Sequence, residues 1–109
     1  MNGCSTEDAE GIRVVRVSGE VDMSWSQDLR REILAAMRKG QPVGVDLSDV
    51  SYMDSSGIAA LVEGFQQARA GKSRFALIAP SDAVRGVLEL ARLDRVFPIV
   101  ANAAAARDG

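Results

Sequence analysis

Val45-Asp46-Leu47-Ser48-Asp49-Val50-Ser51-Tyr52-Met53-Asp54-Ser55-Ser56-Gly57-Ile58 runs a buried-strand pattern into an Asp-Ser-Ser-Gly turn that opens a helix. Val43-Gly44-Val45-Asp46-Leu47 reads as a short buried strand, and the Ser- and Asp-rich stretch after it as a loop. The turn places Ser56 at or next to the helix N-cap, where its hydroxyl meets both the free N–H groups of the first turn and solvent. A phosphate on that hydroxyl would carry about −1.5 to −2 charges, and the N–H donors and positive end of a helix suit such a group. Ser56 is therefore the candidate switch residue. Beside it stands the simpler reading that Ser55 and Ser56 only cap the helix.

Outward from this stretch the chain alternates. Ile12-Arg13-Val14-Val15-Arg16-Val17 reads as a strand that stops at Gly19, and Glu10-Gly11 as a turn before it. A short, polar first strand over residues 3–8 completes a hairpin. Leu29, Ile33, Ala36 and Met37 recur at helical spacing, predicting a helix from Trp25 to Lys39 with a Ser24–Gln27 capping box and a Gly40–Pro42 stop. Trp25 reads as half-buried at the helix start; a partner anchor is the alternative.

After Ser56, residues Ile58, Leu61, Val62 and Phe65 form one helical face, and Gly57, Ala60, Gly64 and Ala68 a stripe of small residues. Tight packing on a sheet explains that stripe; a partner lying along it is the other reading. Arg74–Ala79 reads as a strand closed by Pro80. Ser81 then caps a helix with core residues Val84, Val87, Leu88 and Ala91. Val96–Val100 is a last strand whose Pro98 puts it at an edge, and the tail from Asn102 has room for a couple of helical turns.

The 109 residues, 47% of them hydrophobic, suffice for one domain with one core. The net charge of −2 leaves no basic stripe, so no direct nucleic-acid binding is expected. No apolar run approaches the roughly 20 residues that span a bilayer, the start lacks a signal-peptide pattern, and the one cysteine, Cys4, suits a reducing compartment. No membrane insertion and a cytoplasmic location are expected. Cys4, in a polar segment, is assigned no core role. With no histidine, zinc and thiol–imidazole chemistry are poor fits, and Ser56 as a nucleophile would need Lys39 or Lys72 from helix ends as its base. A Walker-type phosphate loop is missing too, which disfavours nucleotide binding. Neither a metal nor a cofactor is expected.

Together these elements imply an α/β fold with one mixed sheet, an N-terminal hairpin followed by largely parallel strands, about four or five strands and three or four helices. Sites on such sheets collect beyond the carboxyl ends of the strands. The Gly19–Ser24 and Asp46–Ser56 loops share one such edge, which brings Asp22 near Asp54 and Ser56.

These residues resemble the STAS domain, in its anti-sigma factor antagonist branch. Gly19-Glu20-Val21-Asp22 is similar to the family's Gly-Glu-Leu-Asp, and the stretch from Val45 to Ile58 to its central motif. The likeness runs from about Ile12 to Val100, so residues 1–109 are read as one STAS domain with a core over about 12–100 and a short tail at 101–109. It implies that Ser56, the serine before the glycine, is phosphorylated by a partner that is both a serine/threonine kinase and an anti-sigma factor. It also implies that the unphosphorylated protein holds that partner and frees the sigma factor, and that a serine phosphatase resets the phosphorylated form. The partner-binding and switch residues are then Asp22, Ser24, Asp54, Ser55, Ser56 and Gly57, with no catalytic residue, and the protein is not an enzyme. A second role carried by the same resemblance is a STAS subunit of an ABC-type lipid transporter that docks on its ATPase. The polar first strand, the alanine-rich tail and the bulky Trp25 depart from the family pattern.

Overall fold

A computed structural model describes residues 2–38 and 40–108; Lys39 lies outside them. Five strands, β1 (Gly3–Ala9), β2 (Ile12–Val21), β3 (Val43–Met53), β4 (Phe75–Ile78) and β5 (Ile99–Val100), form one sheet in the order β1-β2-β3-β4-β5. β1 runs antiparallel to β2, and every later pairing is parallel. The helices are α1 (Ser26–Ala36), α2 (Ser55–Ala70), α3 (Asp82–Leu90) and α4 (Ala103–Asp108).

Strict alternation along the strands builds a core on each face of the sheet. Val15 and Val17 of β2, Val43, Val45 and Leu47 of β3, and Phe75 and Leu77 of β4 join Leu29, Ile33, Leu61, Val84 and Leu88 from α1, α2 and α3. The intervening residues Ile12, Val14, Ala76 and Ile78 pack with Ala106 of α4 on the other face. Three helices thus cover one face and the short tail helix the other. The hairpin closes through Glu10 and Gly11, both at positive φ, as a two-residue connection of this kind requires.

Several boundaries differ from the expected ones. β2 continues past Gly19 to Val21, and β3 continues past Leu47 to Met53, because each supplies the other's partners. Their register slips twice, from Arg16↔Asp46 to Ser18↔Asp49 and then to Glu20↔Tyr52, so β3 carries an extra residue at each bulge. Asp46 steadies the first by accepting from the Ser48 N–H at 3.0 Å and the Ser48 hydroxyl at 2.7 Å. Gly19 takes φ +87 beside the second. Tertiary pairing here overrides the turn preference of Ser and Asp. The Ser24–Gln27 capping box does not form: Trp25 is the N-cap residue of α1, with no side-chain cap bond. Helix α1 ends at Ala36, with Leu29, Ile33 and Ala36 buried and Met37 only partly so. Ala91 follows the end of α3 and is exposed, whereas Val84 and Leu88 are buried as expected. β5 holds only Ile99 and Val100 at the sheet edge; Pro98 has no N–H to pair, and its carbonyl accepts from the Leu77 N–H at 2.9 Å.

Cys4 also departs from its expected place. The alternation of β1 turns Cys4 and Thr6 toward α1: Cys4 packs against the core, and Thr6 donates to the Glu32 carboxylate at 2.5 Å. Burial, with the charges of Glu32 and Asp28, raises the Cys4 thiol to about 11. The native thiol is therefore protonated at neutral pH, and alkylation by iodoacetamide is expected to be slow until urea unfolds the chain. Equal rates in the folded and unfolded protein would contradict this placement.

The small-residue stripe of α2 is a packing feature. A Cβ on Gly57 would come within 2.7 Å of Met53 Cγ and Val21 Cγ1, and one on Gly64 within 2.7 Å of Ile33 Cγ2 and 3.1 Å of the Phe75 ring. Ile33 is buried and β-branched, so it has little room to give. Overpacking of about 1–3 kcal/mol outweighs the roughly 1 kcal/mol that alanine adds to a helix, so Gly64→Ala is expected to lower stability by about 1–2 kcal/mol in urea denaturation.

Candidate functional site

Val21 and Met53 are paired at the carboxyl ends of β2 and β3, so the β2–α1 loop and the β3–α2 turn leave the sheet side by side. The backbone joins them directly, the Asp54 N–H donating to the Val21 carbonyl at 3.0 Å. Asp54, extended at φ −97 and ψ −174, is the N-cap residue of α2, and Ser55 and Ser56 are the first two helical residues. Asp54 Oδ1 accepts from the Ser56 N–H at 2.9 Å, the Gly57 N–H at 3.3 Å and the Ser56 hydroxyl at 2.5 Å. The backbone N–H of Met23 in the neighbouring loop adds a smaller contribution that favours the ionised carboxylate. The cap expected of Ser56 thus belongs to Asp54, a short side chain one residue outside the helix and the better placed acceptor. That leaves the Ser56 hydroxyl free of any capping duty.

The β2–α1 loop repeats the same local device. Asp22 Oδ1 accepts from the Ser24 N–H at 2.9 Å and the Ser24 hydroxyl at 2.5 Å, while the Asp22 carbonyl accepts from the N–H groups of Trp25 and Ser26. Ser24 therefore serves Asp22 and leaves α1 uncapped by a side chain. Trp25 is half-buried against the core and donates its indole N–H to the Glu20 carbonyl at 2.5 Å. The half-buried reading of Trp25 holds, and the ring pins the loop to the end of β2.

Of the residues singled out in the sequence, Asp54, Ser56, Asp22 and Ser24 come together on one edge, and Ser55 is exposed on the same turn. Gly57 is buried beneath them, where it lets α2 approach Val21 and Met53. Sequence reasoning missed two neighbours, Met23 in the loop, 79% exposed, and Tyr52 near the end of β3, 48% exposed. The signal for both was an apolar residue beside a polar turn. Lys72 follows the far end of α2, roughly 24 Å of helix from Ser56, so it is no base for that hydroxyl. A cavity of about 470 Å³ lined by Leu34, Met37, Gln67 and Ser73 lies at that far end too and includes none of the residues singled out around Ser56. Among the described residues no group of His, Cys, Asp and Glu could hold a metal ion, and no helix is long and apolar enough to cross a membrane.

The hydroxyl of Ser56, and after it three backbone N–H groups, hold the Asp54 carboxyl below its ordinary value of 3.8 against the opposing effect of desolvation. A lowered folded value means that the ionised carboxylate contributes stability present above about pH 4 and lost as pH falls through the folded value. Urea midpoints are expected to fall more for the wild type than for Asp54→Asn on acidification from neutral pH to below about pH 4. Parallel curves would show that the cap does not depend on charge.

Residues 4–106 match the STAS domain, and the chain belongs to that family. It is similar to the anti-sigma-B factor antagonist of Listeria monocytogenes, 29% identical over 84 residues that cover 76% of this chain and 74% of that one. Among solved structures it resembles an anti-sigma factor antagonist from Mycobacterium paratuberculosis, with a TM-score of 0.85 and 30% identity over 97% of this chain and 91% of that one. The anti-sigma factor antagonist SpoIIAA in its unphosphorylated form gives a TM-score of 0.80 at 26% identity, over 97% of this chain and 94% of that one. The phosphorylated form of the Bacillus cell fate determinant SpoIIAA gives 0.73 at 25% identity, over 97% of each chain.

Proposed function

We propose that this STAS protein is an anti-sigma factor antagonist whose unphosphorylated form binds an anti-sigma factor that is also an ATP-dependent serine kinase. Binding frees the sigma factor, phosphorylation of Ser56 ends it, and a serine phosphatase restores it. The observation that carries this reading is the Ser56 hydroxyl, bonded to Asp54 at 2.5 Å on an edge shared with the Asp22–Trp25 loop. The relatives support it, because they include anti-sigma factor antagonists and one of them, SpoIIAA, is described in both unphosphorylated and phosphorylated forms.

The physical basis is local. A phosphoryl group on Ser56 replaces the hydroxyl proton that Asp54 accepts with about two negative charges next to a carboxylate. A partner shaped around a neutral serine then meets a repulsive surface, and such like-charge contacts cost several kcal/mol at an interface. Exposed Met23 and Tyr52 beside the turn offer apolar contact to that partner. The protein acts in the cytoplasm, with no direct nucleic-acid contact and no insertion into a membrane.

The test is an affinity capture from host lysate with the wild type and Ser56→Glu, followed by mass spectrometry. A kinase-type ATPase held by the wild type and reduced at least about tenfold with Ser56→Glu is the expected result, about 1.4 kcal/mol or more of lost binding. An ABC transporter ATPase held equally by both proteins would replace this reading with the transporter-subunit role.

A further inference from the structure

We propose that the protein associates head to tail with further copies of itself, the exposed Met23 of one copy seating in the cavity between the far ends of α1 and α2 on the next. The two surfaces lie at opposite ends of one molecule. β2, β3, β4 and β5 are parallel, so α1, α2 and α3 each run back from the carboxyl ends of the strands, where Ser56 stands, to their amino ends. At the carboxyl edge Met23 projects from the β2–α1 loop, 79% exposed. Asp22 precedes it, the Asp54 carboxylate is favoured by its backbone N–H, and Glu20 is exposed near the end of β2. On the same edge Asp28 is paired with Arg31. Among the described residues Glu20, Asp22 and Asp54 have no ion pair, so the apolar side chain stands among uncompensated carboxylates.

The far edge has the opposite character. Leu34, Met37 and Ala68 give the cavity of about 470 Å³ an apolar lining, and Arg38 is part of its wall. Lys72 stands between two more lining residues, Gly71 and Ser73. Arg38 and Lys72 are exposed, and among the described residues neither has an ion pair. Helix dipoles explain only part of this charge. Arg69 answers the dipole of α2 from its last turn, but α1 has no basic residue in its last turn, and Arg38 and Lys72 lie past the helix ends, where that field fades. The net charge of −2 hides the separation, because these residues are distant in sequence and the parallel topology gathers them at one edge. An apolar knob among carboxylates thus matches an apolar cavity among cations. Exposed charge pairs are individually weak and screened by salt, and the cavity is larger than one methionine side chain, so the contact is wet and transient, with a dissociation constant of about 0.1–1 mM. A knob and a cavity at opposite ends make a heterologous contact, which leaves one of each unfilled at the ends of any assembly. Each seated copy covers the edge that carries Ser56 and so withdraws it from any other partner.

The test is sedimentation equilibrium of the full chain from about 0.02 to about 2 mM, in about 0.05 M and about 0.5 M NaCl. In low salt the weight-average mass is expected to climb past twice the monomer mass at the highest concentration, and the association constant to fall at least about fivefold in high salt. Met23→Ser removes the knob, and the double variant Arg38→Glu with Lys72→Glu reverses the charge at the cavity. All three positions are outside the buried core, so these substitutions leave its packing intact. Each variant alone is expected to associate at least about tenfold more weakly than the wild type. Met23→Ser retains the cavity and the double variant retains the knob, so an equimolar mixture is expected to form one-to-one dimers and grow no further. A wild type that stays monomeric throughout, association untouched by either variant, or a mixture no heavier than its components would overturn the proposal. Each of those results leaves the partner-switch reading standing, because that reading is tested at Ser56.

Discussion

The Asp54 carboxylate accepts from the Ser56 N–H, the Ser56 hydroxyl and the Gly57 N–H, its own N–H donates to the Val21 carbonyl, and the rest of the site is arranged around those bonds. All three donors start α2, and the Val21 acceptor ends β2, where the loop to α1 begins. A single short residue therefore caps one helix, orients one hydroxyl and ties its turn to the end of β2. It can do so because β2 and β3 are parallel and end in register at Val21 and Met53. Any shift of that register would separate the two loops.

The register in turn depends on the bulges. β3 makes room for two more residues than β2 between Arg16↔Asp46 and Glu20↔Tyr52, and bulges of this kind bend a strand and re-aim its carboxyl end. α2 then seats tightly on the strand ends because Gly57 and Gly64 bring nothing larger than hydrogen toward Val21, Met53 and Ile33. An Arg30–Glu63 ion pair also joins α1 to α2, but it is solvent-accessible and contributes little beside that packing. α3 is anchored from the other side, the Ser81 hydroxyl donating to the Val50 carbonyl at 2.5 Å. The Asp54–Gly57 turn is thus rigidly supported from below and open above.

Rigidity below and exposure above suit a switch that works through charge. Adding a phosphate to Ser56 needs no rearrangement of the core to change what a partner meets, since the new charge lies beside an existing carboxylate at the surface. The exposed Met23 and Tyr52 supply the apolar part of such a surface. Under the proposed switch, their apolar attraction and a phosphate's repulsion would act on the same small area.

The alternation of apolar residues in β2, β3 and β4, the helical spacing of Leu29–Ile33 and Ile58–Leu61, and the Gly and Pro breaks were enough to read a mixed sheet with helices, and the Asp-Ser-Ser-Gly turn was enough to single out Ser56. These are local signals, set by side-chain periodicity and turn chemistry, and they carry the order and kind of most elements together with the serine at their functional edge. The strand character of Ser48–Met53 and of Gly19–Val21 was not legible, because polar residues read as loop until a partner strand supplies their hydrogen bonds. Likewise the core contact of Cys4 came from where β1 lies under α1, and the failure of the Ser24 cap from the prior claim of Asp22 on its hydroxyl. That Asp54 and not Ser56 caps α2 depends on the conformation of the turn, which the bond from the Asp54 N–H to the Val21 carbonyl fixes on a neighbouring strand that register brings within reach.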